Sequence, residues 1–214
     1  IGVDSIDAPG PGGTSDFLTW DAYATVFPDD RWRIDAGVQR FTFDSEPTLR
    51  NRLVVDQAKL SADFLPTERS RMTLRAAIAD YSDGNHQNWW QGEFEQRLGL
   101  APRLWVGLRY TGTTFRLVNQ PGYFSPDEYH AVEATLRLDG QAGPRTFYGL
   151  RASAGGERDV AGADRFILGA SAYLRQQVSP RLDLEAAYDY TSSSAASSTG
   201  FTRGIARISL IARF

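Results

Sequence analysis

Chemistry in this 214-residue chain would have to come from few reactive side chains, since there is no cysteine and only two histidines, His86 and His130. Thiol nucleophiles, disulfides and thiolate metal sites are therefore excluded. A Ser–His hydrolase needs the two side chains within hydrogen-bond reach. His130, however, stands in His130-Ala131-Val132 with no serine two residues on, and His86 falls in a predicted loop. The carboxylates of Glu93 and Glu95, and of Asp183 and Glu185, lie two residues apart, which in an extended chain points both the same way. That arrangement suits a glycosidase pair only weakly, because any polar strand face contains alternating acids. Neither a calcium-loop spacing nor a zinc set is present. No catalytic residue, metal or cofactor is assigned, and an enzyme is not expected.

The same two-residue spacing runs through a larger population of charges: Arg33, Asp35, Arg75, Glu93, Glu95, Arg109, Glu133, Arg137, Arg151, Arg175, Asp183, Glu185 and Arg207. All carry odd numbers and would share one face of extended segments. If that face lines a water-filled lumen, the charges keep their hydration and opposite signs pair across neighbouring strands. They form either a stabilising ion network or the wall of a narrow conduit for a hydrophilic solute. The signs are too evenly mixed for a strong ion preference. The cations are almost all arginine, with Lys59 the single lysine, and the net charge is -3, so nucleic acid is not the expected partner.

The elements that must position these residues follow from the alternation itself. Eleven segments of about 10 to 13 residues alternate apolar with polar: 16–27, 31–43, 53–64, 71–82, 88–98, 103–115, 129–138, 145–155, 165–177, 181–191 and 203–214. Each suits a tilted strand crossing a bilayer. The apolar positions are even-numbered throughout, as in Leu182, Leu184, Ala186, Tyr188 and Tyr190 against Arg181, Asp183, Glu185, Ala187 and Asp189. No apolar run approaches the roughly 18 to 20 residues of a membrane helix, whereas a barrel strand shows lipid only at every second residue.

A soluble sandwich also alternates, but here the aromatics Trp20, Trp32, Phe64, Trp90, Tyr110, Tyr188, Tyr190 and Phe214 gather near strand ends, as in an interfacial girdle. The connections alternate as well. Short ones (28–30, 65–70, 99–102, 140–144, 178–180) are assigned to the periplasm, and longer ones (44–52, 83–87, 116–128, 156–164, 192–202) to the outside. Even strand number then requires a twelfth strand ending at Ile1 to Asp7.

The expectation is a single domain, residues 1–214, an all-β, antiparallel, up-and-down transmembrane β-barrel of about twelve strands in the bacterial outer membrane. Both termini would be periplasmic, and an upstream signal peptide or periplasmic domain would precede Ile1. The ending with Leu210, Ala212 and Phe214 two apart resembles the signal read by the barrel-assembly machinery, which is expected as a partner together with outer-membrane lipid.

The string Gln120-Pro121-Gly122-Tyr123-Phe124-Ser125-Pro126-Asp127-Glu128-Tyr129 resembles the Gly-Tyr-Phe/Tyr-Ser-Pro-x-x-Tyr element of barrels that follow periplasmic tetratricopeptide repeats. That group includes the exopolysaccharide export porins and the smaller YaiO-type barrels. The export porins typically have sixteen strands, so the strand count favours the smaller type. The resemblance implies transport or secretion, with a polysaccharide or an envelope protein as partner. Tyr123, Phe124 and Tyr129 become candidates to stack on a saccharide or to fold inward as a plug. Against transport stands a structural reading, a closed barrel that anchors an envelope or surface assembly.

Overall fold

The computed structural model describes residues 2–7, 14–42, 48, 51–99, 102–159, 164–193 and 203–212. Twelve strands form one antiparallel sheet in sequence order. They are β1 (Gly2–Asp7), β2 (Thr14–Val26), β3 (Trp32–Phe41), β4 (Val55–Thr67), β5 (Ser70–Tyr81), β6 (His86–Arg97), β7 (Arg103–Phe115), β8 (Glu128–Gln141), β9 (Thr146–Asp159), β10 (Asp164–Ser179), β11 (Leu182–Thr191) and β12 (Arg203–Ala212). Every segment expected from the alternation is a strand, and Gly2–Asp7 adds the twelfth, paired with Thr14–Thr19. Among the described residues no pairing joins β1 to β12, so the sheet is open at that seam. In hydrocarbon each unpaired edge group costs several kcal/mol, and closing this seam is therefore a condition of insertion.

Parity sorts the faces. Most exposed large apolar side chains among the described residues carry even numbers, from Leu18, Val38, Leu60, Leu74 and Ile78 through Leu108, Val132, Leu136 and Leu150 to Leu174, Leu184, Ile208 and Leu210; Tyr23, Phe27, Leu65, Phe147 and Tyr173 are the odd ones. The buried acids Glu93, Glu95, Glu133, Glu157 and Asp183 are all odd. A sheet whose apolar side chains face outward and whose acids are buried is inverted relative to a water-soluble protein, as a bilayer solvent requires. Trp32 stacks on Phe64 at 4.3 Å where β3 and β4 meet the short connections. Tyr110 and Trp90 flank His130 toward the opposite rim. Both lie on the even face, where an interfacial girdle belongs. Phe214 lies outside the described residues, Ala212 ends β12, and Leu210 is exposed.

The short turns have local chemical causes. Asp29 Oδ1 accepts from the backbone N–H groups of Arg31 (2.8 Å) and Trp32 (3.1 Å), folding the β2–β3 reversal, and Thr67 Oγ1 accepts from Arg69 N in the β4–β5 turn. Two connections expected to be long are not. Residues 82–85 separate β5 from β6, and residues 160–163 separate β9 from β10. Strands β9 and β10 run 14 and 16 residues and take residues 156–159 and 164 into the ladder, where Arg158 and Asp164 pair at 2.6 Å. Charge and glycine marked 156–159 as loop, but cross-strand pairing makes these residues strand.

Candidate functional site

The residues expected to line the passage all fall on the odd face, and they do not behave alike. On β6 to β9 they are tied together. Arg109 grips Glu133 with two parallel bonds, Nε to Oε2 at 2.9 Å and Nη2 to Oε1 at 2.8 Å, and Ser153 Oγ donates to Glu133 Oε1 at 2.7 Å. Such a fork fixes both position and orientation. Arg137 on β8 reaches over β7 to hold Glu95 on β6 through two bonds of 3.1 Å, and lies 3.4 Å from Asp139. The reach is available because the intervening residue is Gly107, which pairs with Glu95 on one side and Thr135 on the other. A Cβ there would meet the Phe94 carbonyl and come within 2.7 Å of Thr135 Oγ1. Arg151 spans still further, from β9 to Glu93 on β6. The Trp105 indole lies beneath the guanidinium groups of Arg137 (5.0 Å) and Arg97 (5.7 Å), a cation–π arrangement that favours the charged side chains where they have lost water.

Elsewhere the odd face is looser. Arg33 pairs with Asp35, which also accepts from Thr25, and Arg75 donates to Gln91. Gly37, Ser61 and Ala77 leave the middle of β3 to β5 thinly covered, with Lys59 donating to Gln39 at 2.8 Å. On β10 to β12, Arg175 holds Asp183 and Arg207 holds Asp189 at 2.7 Å. Glu185 has no polar partner among the described residues.

Cavities follow this difference. One of 690 Å³ is lined by β10 to β12 side chains including Ser171, Tyr173, Glu185 and Arg207. A second, of 340 Å³, lies between the β6 to β9 and β10 to β12 walls, beside Arg109, Glu133 and Arg151 on one side and Ser171, Asp189 and Ser193 on the other. A third, of 510 Å³, crosses the short-connection rim from Phe27 and Arg33 to Arg137 and Tyr173. No group of three or more acids or histidines that could hold a metal occurs among the described residues.

At the other rim the β7–β8 connection, residues 116–127, folds onto the odd face. Ser125 shapes it internally, its Oγ accepting from Gln120 N at 2.7 Å and its carbonyl accepting from Asn119 N at 2.8 Å. Gly122 takes φ +95°, a region that glycine enters freely. Tyr123, only 5% exposed, stacks on Tyr81 at 4.8 Å within a cluster of Leu53, Val55, Ala79 and Phe115. Its hydroxyl donates to Asp83 Oδ2 and accepts from Asn85 Nδ2, both at 2.8 Å. Asn85, itself buried, also binds both backbone groups of Leu117. Burial holds the Tyr123 hydroxyl well above the usual tyrosine range.

Phe124 meets Tyr129 edge-on at 5.5 Å, beside Ala131 and Ile167, and Tyr129 donates to Glu157 at 2.8 Å. The three aromatics singled out in the sequence are thus packed against the sheet rather than presented outward. Asp83, Asn85 and Tyr81, which hold Tyr123, escaped the sequence reading because each lies more than 35 positions away. Trp105 and Tyr173 could have been found as aromatics at odd numbers in strands whose apolar residues are even.

The family described as PgaA membrane beta barrel domain matches residues 22–142, more than half of the chain. A solved structure titled "Bacterial polysaccharide outer membrane secretin" superposes with a TM-score of 0.74 over 95% of this chain and 71% of its own length. At 14% sequence identity that likeness is one of fold. No curated protein gives a significant match.

Proposed function

Because this chain belongs to the PgaA membrane beta barrel domain family, we propose that it forms the outer-membrane passage of a polysaccharide export system. The β7–β8 connection would be an inward-folded latch over that passage. The observation that carries the reading is the odd face itself, rich in charged and polar side chains and crowded along β6 to β9, yet leaving a cavity of 690 Å³ along β10 to β12 and one of 340 Å³ between the two walls. A merely structural barrel has no need to keep that space open. The likeness in fold to a protein titled as a polysaccharide secretin supports the same reading. The chain resides in the bacterial outer membrane.

In this reading Arg33, Asp35, Arg75, Arg175, Asp183, Glu185 and Arg207 face the passing polymer. Glu93, Glu95, Arg109, Glu133, Arg137 and Arg151 stiffen the wall behind it. Leu210, Ala212 and Phe214 present the assembly signal, and the partners are a tetratricopeptide-type periplasmic segment and the exported polymer. Stacking, two hydrogen bonds and burial hold Tyr123 shut, and each buried bond removed costs about 1–2 kcal/mol.

The test is single-channel conductance in planar bilayers. The latched barrel should pass little current, and Tyr123→Ala or deletion of residues 116–127 should open it. If neither raises conductance, the passage reading fails and a closed anchoring barrel takes its place. The raised Tyr123 hydroxyl adds a pH arm. Its contribution to the latch is complete below the free tyrosine value of about 10 and falls as pH rises above it, so openings should become more frequent only in strongly alkaline buffer.

A further inference from the structure

On the odd face, large apolar side chains left exposed are the exception, and all but one are aromatic: Tyr23 (78% exposed), Phe27 (68%), Phe147 (40%) and Tyr173 (41%), with Leu65 the aliphatic one. Phe27, Phe147 and Tyr173 border the polar cavities; leaving rings uncovered there forgoes the stabilisation that burial would bring, so their placement asks for something that covers them in use. Tyr173 is the best positioned. It pairs with Gly149 on β9, and its ring packs over that glycine, where a Cβ would come within 2.8 Å of Cδ1 and Cζ. It borders both the cavity along β10 to β12 and the one crossing the short-connection rim.

Beside it, across the β10–β11 ladder, stands Glu185, register partner of Arg175. Arg175 is engaged by Asp183 and Arg207 by Asp189, which leaves Glu185 as a carboxylate in the cavity without a polar partner among the described residues.

We propose that Tyr173 and Glu185 form a sugar-binding subsite within the passage. The exposed ring, with its negative face, stacks on the C–H face of a pyranose whose substituents are equatorial. The carboxylate accepts hydrogen bonds from that sugar's hydroxyls. Gly149 supplies the space in which the ring lies. A few convergent polar groups beside an apolar platform are the usual composition of a small-ligand site. The subsite rests on the passage reading above and gives it a point of contact with the polymer.

The test is titration of the purified barrel in detergent micelles with cellopentaose, read by saturation-transfer NMR, with α-linked maltopentaose as control. The wild type should bind cellopentaose in preference to maltopentaose. Tyr173→Ala should weaken binding at least fivefold, and Gly149→Ala, which displaces the ring without removing it, should do the same. Tyr173→Phe should bind as the wild type does, and Glu185→Gln should lose about two- to threefold, with heat-modifiable gel mobility reporting that each barrel is folded. Equal binding by the wild type and Tyr173→Ala, or no binding of cellopentaose by the wild type, overturns the subsite. A latch-deleted barrel that conducts but binds no sugar sinks the subsite alone. One that binds sugar but never conducts sinks the passage and leaves the subsite standing.

Discussion

The wall formed by β6 to β9 and the wall formed by β10 to β12 draw on the same residue types at the same parity, yet ion pairs of the first reach beyond the adjacent strand and those of the second do not. Arg109 and Glu133 are 19% and 11% exposed, whereas at the edge of the second wall Arg207 and Asp189 are 65% and 46% exposed; Arg175 and Asp183, further in, are 34% and 3% exposed. Part of the difference lies in where small residues stand, part in sheet curvature, and β12 also borders the open seam. Gly107 lets Arg137 bridge two strands, while on β10 to β12 each arginine pairs with its nearest acid and leaves the space above it empty. At Arg137, the missing side chain of Gly107 is what permits a reach beyond the adjacent strand.

The sharpest way to break this contrast is to remove one arginine from each wall. Arg109→Ala strands the buried Glu133 carboxylate and should cost about 3–5 kcal/mol, the range for an uncompensated buried charge. Arg207→Ala should cost no more than about 1 kcal/mol, because its pair is solvent-screened. Urea unfolding of barrels refolded into lipid vesicles measures both. Similar losses would mean that the two walls are energetically one.

A second experiment sets the polar face against the bilayer face. Arginine at Ala170 meets hydrocarbon and should destabilise by about 2–4 kcal/mol, whereas arginine at Ser171 enters the cavity and should be tolerated. Equal cost at these neighbouring positions would overturn the assignment of faces, and with it both walls.

How far the sequence showed this in advance differs between the two walls. The strands and the even-numbered lipid face were legible, because the bilayer imposes a strict period of two on every strand and a slip would invert all its side chains. Residues 103–115 were placed without error at either end. That Arg109, Glu133 and their neighbours share a face followed from the same parity. Which arginine holds which acid did not, since Arg151 finds Glu93 three strands away, and only sheet curvature brings them together. The lengths of the connections misled at 156–164 because charged residues pair well in an extended ladder beyond the membrane. The fold of the β7–β8 connection was open for a similar reason. Tyr123 could equally have faced a saccharide, until Asp83, Asn85 and Tyr81 from other segments fixed it inward.

The smallest and most specific comparison replaces one glycine in each wall. At Gly107 a methyl group meets the Phe94 carbonyl, which belongs to the ladder and cannot move, so Gly107→Ala should overpack the wall and cost about 1–3 kcal/mol. At Gly169 the nearest obstacle is the Ser153 hydroxyl at 2.5 Å, the end of a side chain that can rotate, with Ser153 Cβ at 3.8 Å. There Gly169→Ala should stay within about 1 kcal/mol, trading the bond from Ser153 to Glu133 for a small gain in chain stiffness. Gly107→Ala should also release Arg137 from Glu95 and raise the urea sensitivity of β6 to β9 before that of β10 to β12, readable as earlier hydrogen exchange in the first wall. If both glycines tolerate alanine alike, Gly107 does not govern the crowding of β6 to β9, and curvature and the open seam must account for the difference between the walls.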